Sequence, residues 1–325
     1  MASRHLLDID SLTQDEFLKL LSYGITTPEV DFKDRLCAAL LFEKPSNRTR
    51  HSMETAIRKL NGFAVTVRKD EVDMGQRESL EDVTRTLACY HSVIAARVFK
   101  HETLVKMAEC LKNAGSSTSV INLLSDDSHP QQALADVLTI HLELNKRGIE
   151  FNLSKEKLGS NEKVKVVYVG DFNNVATSLL KALKYLNTPL WVCTPQDHGP
   201  NQEFIDSNAP LKDFLKVEFD LQTALDNADV VYTDTWISMG QEDIAQKKLK
   251  DFAGFTLDLN SMKDAKSSAI FMHCLPAHRG YEVTDDLIES KKSVVFQQAY
   301  MRKTAAVASL LWLFLDGNTG ENKWP

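Results

Sequence analysis

Leu36-Cys37-Ala38-Ala39-Leu40-Leu41-Phe42 runs directly into Glu43-Lys44-Pro45-Ser46-Asn47-Arg48-Thr49-Arg50, and the junction between them decides how the chain is read. The first seven residues are apolar without interruption, the pattern of a strand buried on both faces of a parallel sheet. Beyond the junction Met53, Ala56, Ile57 and Leu60 recur at i, i+3, i+4 and i+7, the stripe of an amphipathic helix. Ser46 is suited to cap that helix, leaving the first-turn N–H groups pointing outward beside Arg48 and Thr49. A helix N-terminus carries a partial positive charge, so the segment suits a phosphate or a similar dianion. The competing reading is an ordinary capped helix with surface arginines.

Composition bounds the alternatives. A chain of 325 residues is expected to form two domains of about 150 residues each. Hydrophobic content of 43% with 26% charged residues describes a soluble globular protein with material for real cores. A net charge of −7 argues against a nucleic-acid partner, although a local basic pocket is compatible with it. No apolar run approaches a membrane span, and Met1-Ala2-Ser3-Arg4-His5 leads into Leu6-Leu7-Asp8-Ile9-Asp10 without a signal or transit pattern. Cys37, Cys89, Cys110, Cys193 and Cys274 are scattered, odd in number and free of any CxxC pair. Free thiols and a cytoplasmic location are expected from them, with no disulfide framework and no zinc site.

Apolar runs alternate with helical patterns along the whole chain. The runs at 64–67, 92–99 and 120–124 alternate with helical stretches at 79–90 and 102–114. Further runs follow at 164–169, 190–193, 217–221, 230–232, 255–257, 269–272 and 293–296, with a helical stretch at 176–186 among them. Such alternation predicts an α/β protein with two doubly wound domains, each a parallel sheet flanked by helices. A long helical pattern at 130–146 and the polar stretch 147–162 mark the boundary. The domains expected are 1–146, completed by a C-terminal helix within 297–325, and 147–296, joined by long helices. In such domains ligands sit at the carboxyl ends of strands, usually in the cleft between domains.

Each strand end carries polar chemistry. Arg97 closes Ile94-Ala95-Ala96, either paired to a carboxylate or aimed at an anionic ligand. After 120–124, His129 precedes Pro130 at a helix start and shares that turn with Gln132. Gly170 follows Val166-Val167-Tyr168-Val169 but stands alone, so the GxGxxG spacing of a dinucleotide-binding turn is absent. Asn173 and Asn174 there are either helix caps or amides for a small ligand's carboxylate or amino group. Asp234 lies just after 230–232 and suits an ammonium group. His273-Cys274 invites a thiol nucleophile or a metal site. Adjacent strand side chains point to opposite faces, so His273 does not readily activate Cys274, and no partner at usual spacing completes a metal cluster.

Four segments together are specific. Ser46-Asn47-Arg48-Thr49-Arg50, His129-Pro130-Gln131-Gln132, Ser238-Met239-Gly240 and His273-Cys274-Leu275-Pro276 follow the order and spacing of the aspartate/ornithine carbamoyltransferase family, which the chain resembles over nearly its whole length. The S-x-R-T-R and H-P-x-Q motifs are common to the family. Asp234 with Ser238-Met239-Gly240, and His273-Cys274-Leu275-Pro276 followed by Arg279-Gly280, imply ornithine as the acceptor.

The resemblance implies transfer of a carbamoyl group from carbamoyl phosphate to the δ-amine of ornithine, giving citrulline and phosphate without a metal or cofactor. It assigns Ser46, Asn47, Arg48, Thr49, Arg97, His129, Gln132 and Arg302 to carbamoyl phosphate. Asn174, Asp234, Ser238, Met239, Cys274 and Leu275 would bind ornithine, with Arg97, His129, Asp234 and Cys274 in catalysis. It further implies a homotrimer with sites at subunit interfaces, closed by a neighbour's loop at 71–79, and a final helix at 305–315 packed on the first domain. Tyr300-Met301 before Arg302, where relatives commonly carry Glu-Asn, and Asp73 in the interface loop depart from the family pattern. The alternatives are a carbamoyltransferase for another amine, such as putrescine or an acylated ornithine, and a non-catalytic ligand-sensing paralogue. The former is disfavoured by Ser238-Met239-Gly240 with Asn174, the latter by the presence of Arg48, Arg97, His129 and Cys274.

Overall fold

The computed structural model describes residues 4–32, 35–72, 77–237 and 242–316. The chain forms two compact units: residues up to Ala135 together with those from Tyr300 onward, and Asp136–Ala299. Both divisions fall inside helices, Pro130–Lys146 and Val295–Leu311, so each helix contributes residues to both units.

The first unit holds β1 (Cys37–Phe42), β2 (Phe63–Arg68), β3 (Val93–Arg97) and β4 (Ser119–Leu124), all parallel, in the order β2-β1-β3-β4. The apolar run before Glu43 is therefore an interior strand, buried from Ala38 to Phe42. Helices cover the sheet: Leu87, Leu104 and Leu111 pack with Ala39, Leu41, Ile94 and Val120 in one continuous core. The second unit holds β5 (Val166–Val169), β6 (Leu190–Cys193), β7 (Leu215–Glu218), β8 (Val230–Thr233) and β9 (Ile270–His273), again parallel, in the order β7-β6-β5-β8-β9. β5, β8 and β9 are buried along their whole length, as the unbroken apolar runs predict.

Strand order selects where chemistry can gather. In each sheet the chain leaves the first strand toward one edge and returns on its other side, creating a switch point between β1 and β3 and another between β5 and β8. At such points the loops at the strand ends diverge and leave a crevice. Ser46 and Arg97 follow β1 and end β3, with Phe42 paired to Arg97. The Gly170–Asn174 turn and Asp234 follow β5 and β8, and β9 adds Cys274 beside them.

Several local expectations are corrected. Residues 255–257 and 293–296 are not strands; Leu257 makes one isolated bridge to Val283 and Ser293 one to Phe271. The helix from Val295 takes over the second run directly. β7 ends at Glu218 because Asp220 caps a new helix, its side chain accepting the Thr223 N–H. The polar stretch after Lys146 is ordered by a 3-10 helix at Lys155–Lys163. The final helix ends in a π-helical turn, Trp312–Asp316, where the Phe314 ring lies 5.0 Å from Phe32. No helix of the described residues is long and apolar enough to cross a membrane.

Candidate active site

The first half-site is built on the junction that opens the sequence. Ser46 leaves β1 in an extended conformation and its Oγ accepts the Thr49 N–H at 3.4 Å, starting the helix Asn47–Lys59. The same Oγ accepts from Arg97 at 3.2 Å, and Thr49 Oγ1 accepts from Arg97 at 3.4 Å and from Arg302 at 3.3 Å. Arg302 also donates to Gln132 Oε1. A register shift between Ala96 and Arg97 bends the end of β3, the usual way a sheet re-aims a terminal side chain. Thr49, Arg97, His129, Gln132 and Arg302 are all buried, Arg48 is half-buried and Asn47 is exposed.

The surroundings of Arg97 bear on its two readings. Among the described residues it pairs with hydroxyls and no carboxylate, and its buried Nε has no hydrogen-bond partner. Burial first, then Arg302 and Arg48, push its pKa down to about 10. The same three arginines act on His129 after burial, holding its pKa well below the ordinary imidazole range, so its ring is neutral. A buried guanidinium among like charges, beside a helix N-terminus, is stabilised by an incoming anion. Arg50 plays a different part: its guanidinium stacks 4.9 Å from the Phe42 ring centroid.

The second half-site hangs on Gly170, whose φ of +147° is open only to glycine and turns the chain sharply out of β5. Asn173 then caps the helix Asn174–Tyr185, its Oδ1 accepting from Val175 N–H at 2.9 Å and Ala176 N–H at 3.2 Å. Its Nδ2 donates to Asp234 Oδ2 at 2.9 Å, so the cap also aims the carboxylate. Asp234 Oδ1 accepts from the Thr235 N–H and from the Cys274 thiol, both at 2.8 Å. Burial, then Asp234, push the thiol pKa well above its ordinary value, so Cys274 is a neutral S–H donor. Buried Lys248 donates to Asp171 Oδ2 at 2.6 Å and to the Trp236 carbonyl at 3.0 Å, bracing this turn against the segment after Asp234.

His273 is turned to other work. Its Nδ1 accepts the Leu275 N–H at 2.9 Å and its Nε2 faces Glu282 at 3.3 Å, which fixes Leu275 at a left-handed φ of +58°. Asp234, His273 and Cys274 nevertheless bring potential metal-ligand atoms within 4.8 Å of one another. Sequence spacing shows no such cluster because its members come from two strands. A metal there would require the thiol proton to leave and His273 to release Leu275.

The structure thus gathers Ser46, Thr49, Arg97, Gln132 and Arg302 in one unit, with Arg48 and His129 in the same field, and Asp234 with Cys274 in the other. Asn174 opens its helix beside Asn173. Ser238, Met239, Asp73 and part of the loop at 71–79 lie outside the described residues. Sequence reading missed the Asn173–Asp234 bond, and it passed over Asp136, an acid set in the apolar Ala133-Leu134-Ala135-Asp136-Val137-Leu138 stretch that should have drawn notice.

Comparison with known proteins decides the family. The aspartate/ornithine carbamoyltransferase carbamoyl-P binding domain matches residues 4–142, and the Asp/Orn binding domain of the same family matches residues 162–313. The chain belongs to the aspartate/ornithine carbamoyltransferase family. It is 37% identical to an ornithine carbamoyltransferase of Methanocaldococcus jannaschii over 92% of this chain and 95% of that protein. With one from Hyperthermus butylicus it shares 43% over 84% of this chain and 82% of that one. Among solved structures, ornithine carbamoyltransferase from Pyrococcus furiosus aligns with a TM-score of 0.82 at 37% identity, covering 96% of this chain and 97% of that one. The anabolic enzyme from Campylobacter jejuni aligns with a TM-score of 0.84 at 32% identity, covering 96% and 99%. These likenesses agree with the two parallel sheets flanked by helices.

Proposed function

We propose that this member of the family transfers the carbamoyl group of carbamoyl phosphate to the δ-amine of L-ornithine, releasing L-citrulline and phosphate. The observation that carries the reading is the pairing of two opposite chemistries. One unit holds a buried cluster of arginines with a neutral imidazole; the other holds a carboxylate hydrogen-bonded to a neutral thiol.

Residues of the first cluster take carbamoyl phosphate: Ser46, Asn47, Arg48 and Thr49 the phosphate, and Arg97, His129, Gln132 and Arg302 the carbamoyl end. The second set, Asn174, Asp234, Ser238, Met239, Cys274 and Leu275, takes ornithine. An alkyl ammonium has a pKa near 10.4, so roughly one molecule in a thousand is neutral near pH 7.4. Asp234 is the group that draws the ammonium in and takes part in removing its proton. Cys274 keeps its proton and orients the nitrogen, since a thiol held neutral beside a carboxylate is a poor covalent nucleophile. Attack on the carbamoyl carbon makes a tetrahedral intermediate with an anionic oxygen. Arg97, Thr49 and neutral His129 are the donors for it, and such preorganised donors are worth about 2.7–4 kcal/mol each. Collapse expels phosphate into the cluster that already holds it.

A homotrimer with 1–146 plus the last helix as carbamoyl phosphate domain, 147–296 as ornithine domain, and a cytoplasmic location belong to the same proposal. The trimer's support is the edge strand β2, where Phe63 is 60% and Val65 45% exposed. Large apolar side chains on an open sheet edge call for a partner surface. The deciding assay mixes the protein with carbamoyl phosphate and, separately, ornithine, putrescine and an acylated ornithine, and measures carbamoylated product and phosphate. Citrulline formed at a rate at least tenfold above the other products is expected. Turnover of another amine in preference, or none, overturns the assignment.

A further inference from the structure

Asp136 is fully buried and accepts hydrogen bonds from the Tyr232 hydroxyl at 3.0 Å and from Gln298 Nε2 at 2.7 Å. Both partners lead to the Asp234–Cys274 pair. Tyr232, on β8, stands two residues before Asp234. Gln298 turns its Oε1 to the backbone N–H of His273 at 2.8 Å, the residue that precedes Cys274 on β9. The two strand ends that bring carboxylate and thiol together are therefore both tied to one carboxylate on a helix.

The chemistry of the donor set explains why a carboxylate stands there. A carboxylate is acceptor-only, so it commits the Tyr232 proton to itself and fixes the amide of Gln298 with its oxygen toward His273. With its proton donated to Asp136, the Tyr232 hydroxyl is held in one orientation at β8, while the thiol proton goes to Asp234 at 2.8 Å. A neutral group of the same shape would place a donor against Tyr232 or Gln298 and unsettle both orientations.

We infer that Asp136 is a positioning residue for amine transfer, setting the Asp234–Cys274 geometry through Tyr232 and through Gln298 without touching substrate. The inference rests on the proposed ornithine reading. Its spacing gives it further reach: Asp136 follows Gln132 by one turn of one helix, and Gln298 precedes Arg302 by one turn of another. The same two helices carry carbamoyl phosphate ligands one turn away, bonded to each other as Arg302 to Gln132.

The test uses the full chain with Asp136→Asn and Tyr232→Phe, the latter removing one oxygen atom. For each, kcat and KM for ornithine are measured, together with calorimetric affinity for an ornithine analogue lacking the δ-amine and the thermal shift given by inorganic phosphate. Asp136→Asn is expected to lower kcat for ornithine about tenfold or more, the effect of one hydrogen bond to a charged group. Tyr232→Phe is expected to lower it in the same sense but less. Analogue affinity and phosphate response should stay within twofold of the wild type. Wild-type kcat in both variants overturns the inference, as does loss of analogue and phosphate binding in parallel with turnover, which marks a merely structural role. Should Asp136→Asn not fold, Tyr232→Phe decides by the same readouts. A wild-type protein that does not carbamoylate ornithine fails at the first measurement, and the inference falls with that reading.

Discussion

Replacing Arg97 with methionine should make the unliganded protein more stable while removing its response to phosphate. Each pKa unit is worth about 1.36 kcal/mol, and an arginine normally titrates above pH 12. A folded value of about 10 therefore means that burial and the two neighbouring arginines cost about 3 kcal/mol at neutral pH, where Arg97 is charged both folded and unfolded. Arg97 as a residue is 7% exposed, so solvent screens little of this. Against it stand two hydrogen bonds, to Ser46 at 3.2 Å and Thr49 at 3.4 Å, at the long end of useful geometry. Together they contribute about 1–2 kcal/mol. Methionine keeps an unbranched chain without the guanidinium, so the net gain should be about 1–2 kcal/mol. Urea unfolding followed by circular dichroism, at fixed protein concentration and in anion-poor buffer, measures it directly. Adding phosphate at about a hundred times its Kd should stabilise the wild type by about 2.7 kcal/mol and the variant far less. A variant less stable than wild type without phosphate, or equally stabilised by it, would refute the strained-cation account.

Acid should weaken the fold through two imidazoles. Burial lowers the pKa of His5 to about 4, where its Nδ1 accepts the Val120 N–H at 3.0 Å, and His129 is lowered by burial and the arginines. Both are neutral when folded, so their stabilisation is complete above about pH 6.5 and is lost as pH falls, at about 1.36 kcal/mol per pH unit for each. Loss through His5 ends near pH 4, and His5→Gln should flatten the urea-midpoint profile between pH 6.5 and 4. Cys274→Ala should lose at least about tenfold in kcat, as for a lost polar contact to a charged group; a carbamoylated Cys274 found by mass spectrometry during wild-type turnover would contradict the non-covalent role. On the proposed trimer, Phe63→Lys should shift the particle from three times the 36.6 kDa chain mass toward one copy in light scattering, and an unchanged mass would contradict a role for β2 in assembly.

Local pattern and long-range pairing divide the chain unequally. The period of the apolar residues and the cap at Ser46 are local properties, set by the twofold repeat of strands and the 3.6-residue turn of helices. For that reason 190–193 matches β6 to the residue, and the long helix lies where the pattern from 130 to about 146 put it. Runs such as 255–257 and 293–296 misled because three or four apolar residues are equally compatible with a bridge or a helix start. Motif residues were legible as a set, through their order along the chain. Their physical states were not.

By itself the sequence determined an α/β chain with two parallel sheets and a capped helix start after Phe42, and it raised a phosphate ligand at Arg48 as an expectation. Only the tertiary structure decided that Arg97 is a strained cation with no carboxylate partner among the described residues, that Asn173 aims Asp234, and that Cys274 holds its proton. Asp136 belongs to the same class: it meets Tyr232 and Gln298 across 96 and 162 residues of chain. Such pairings depend on strand order and on the dielectric that packing creates, and neither is written in any local period. A buried charge reveals its cost only once its neighbours are in place.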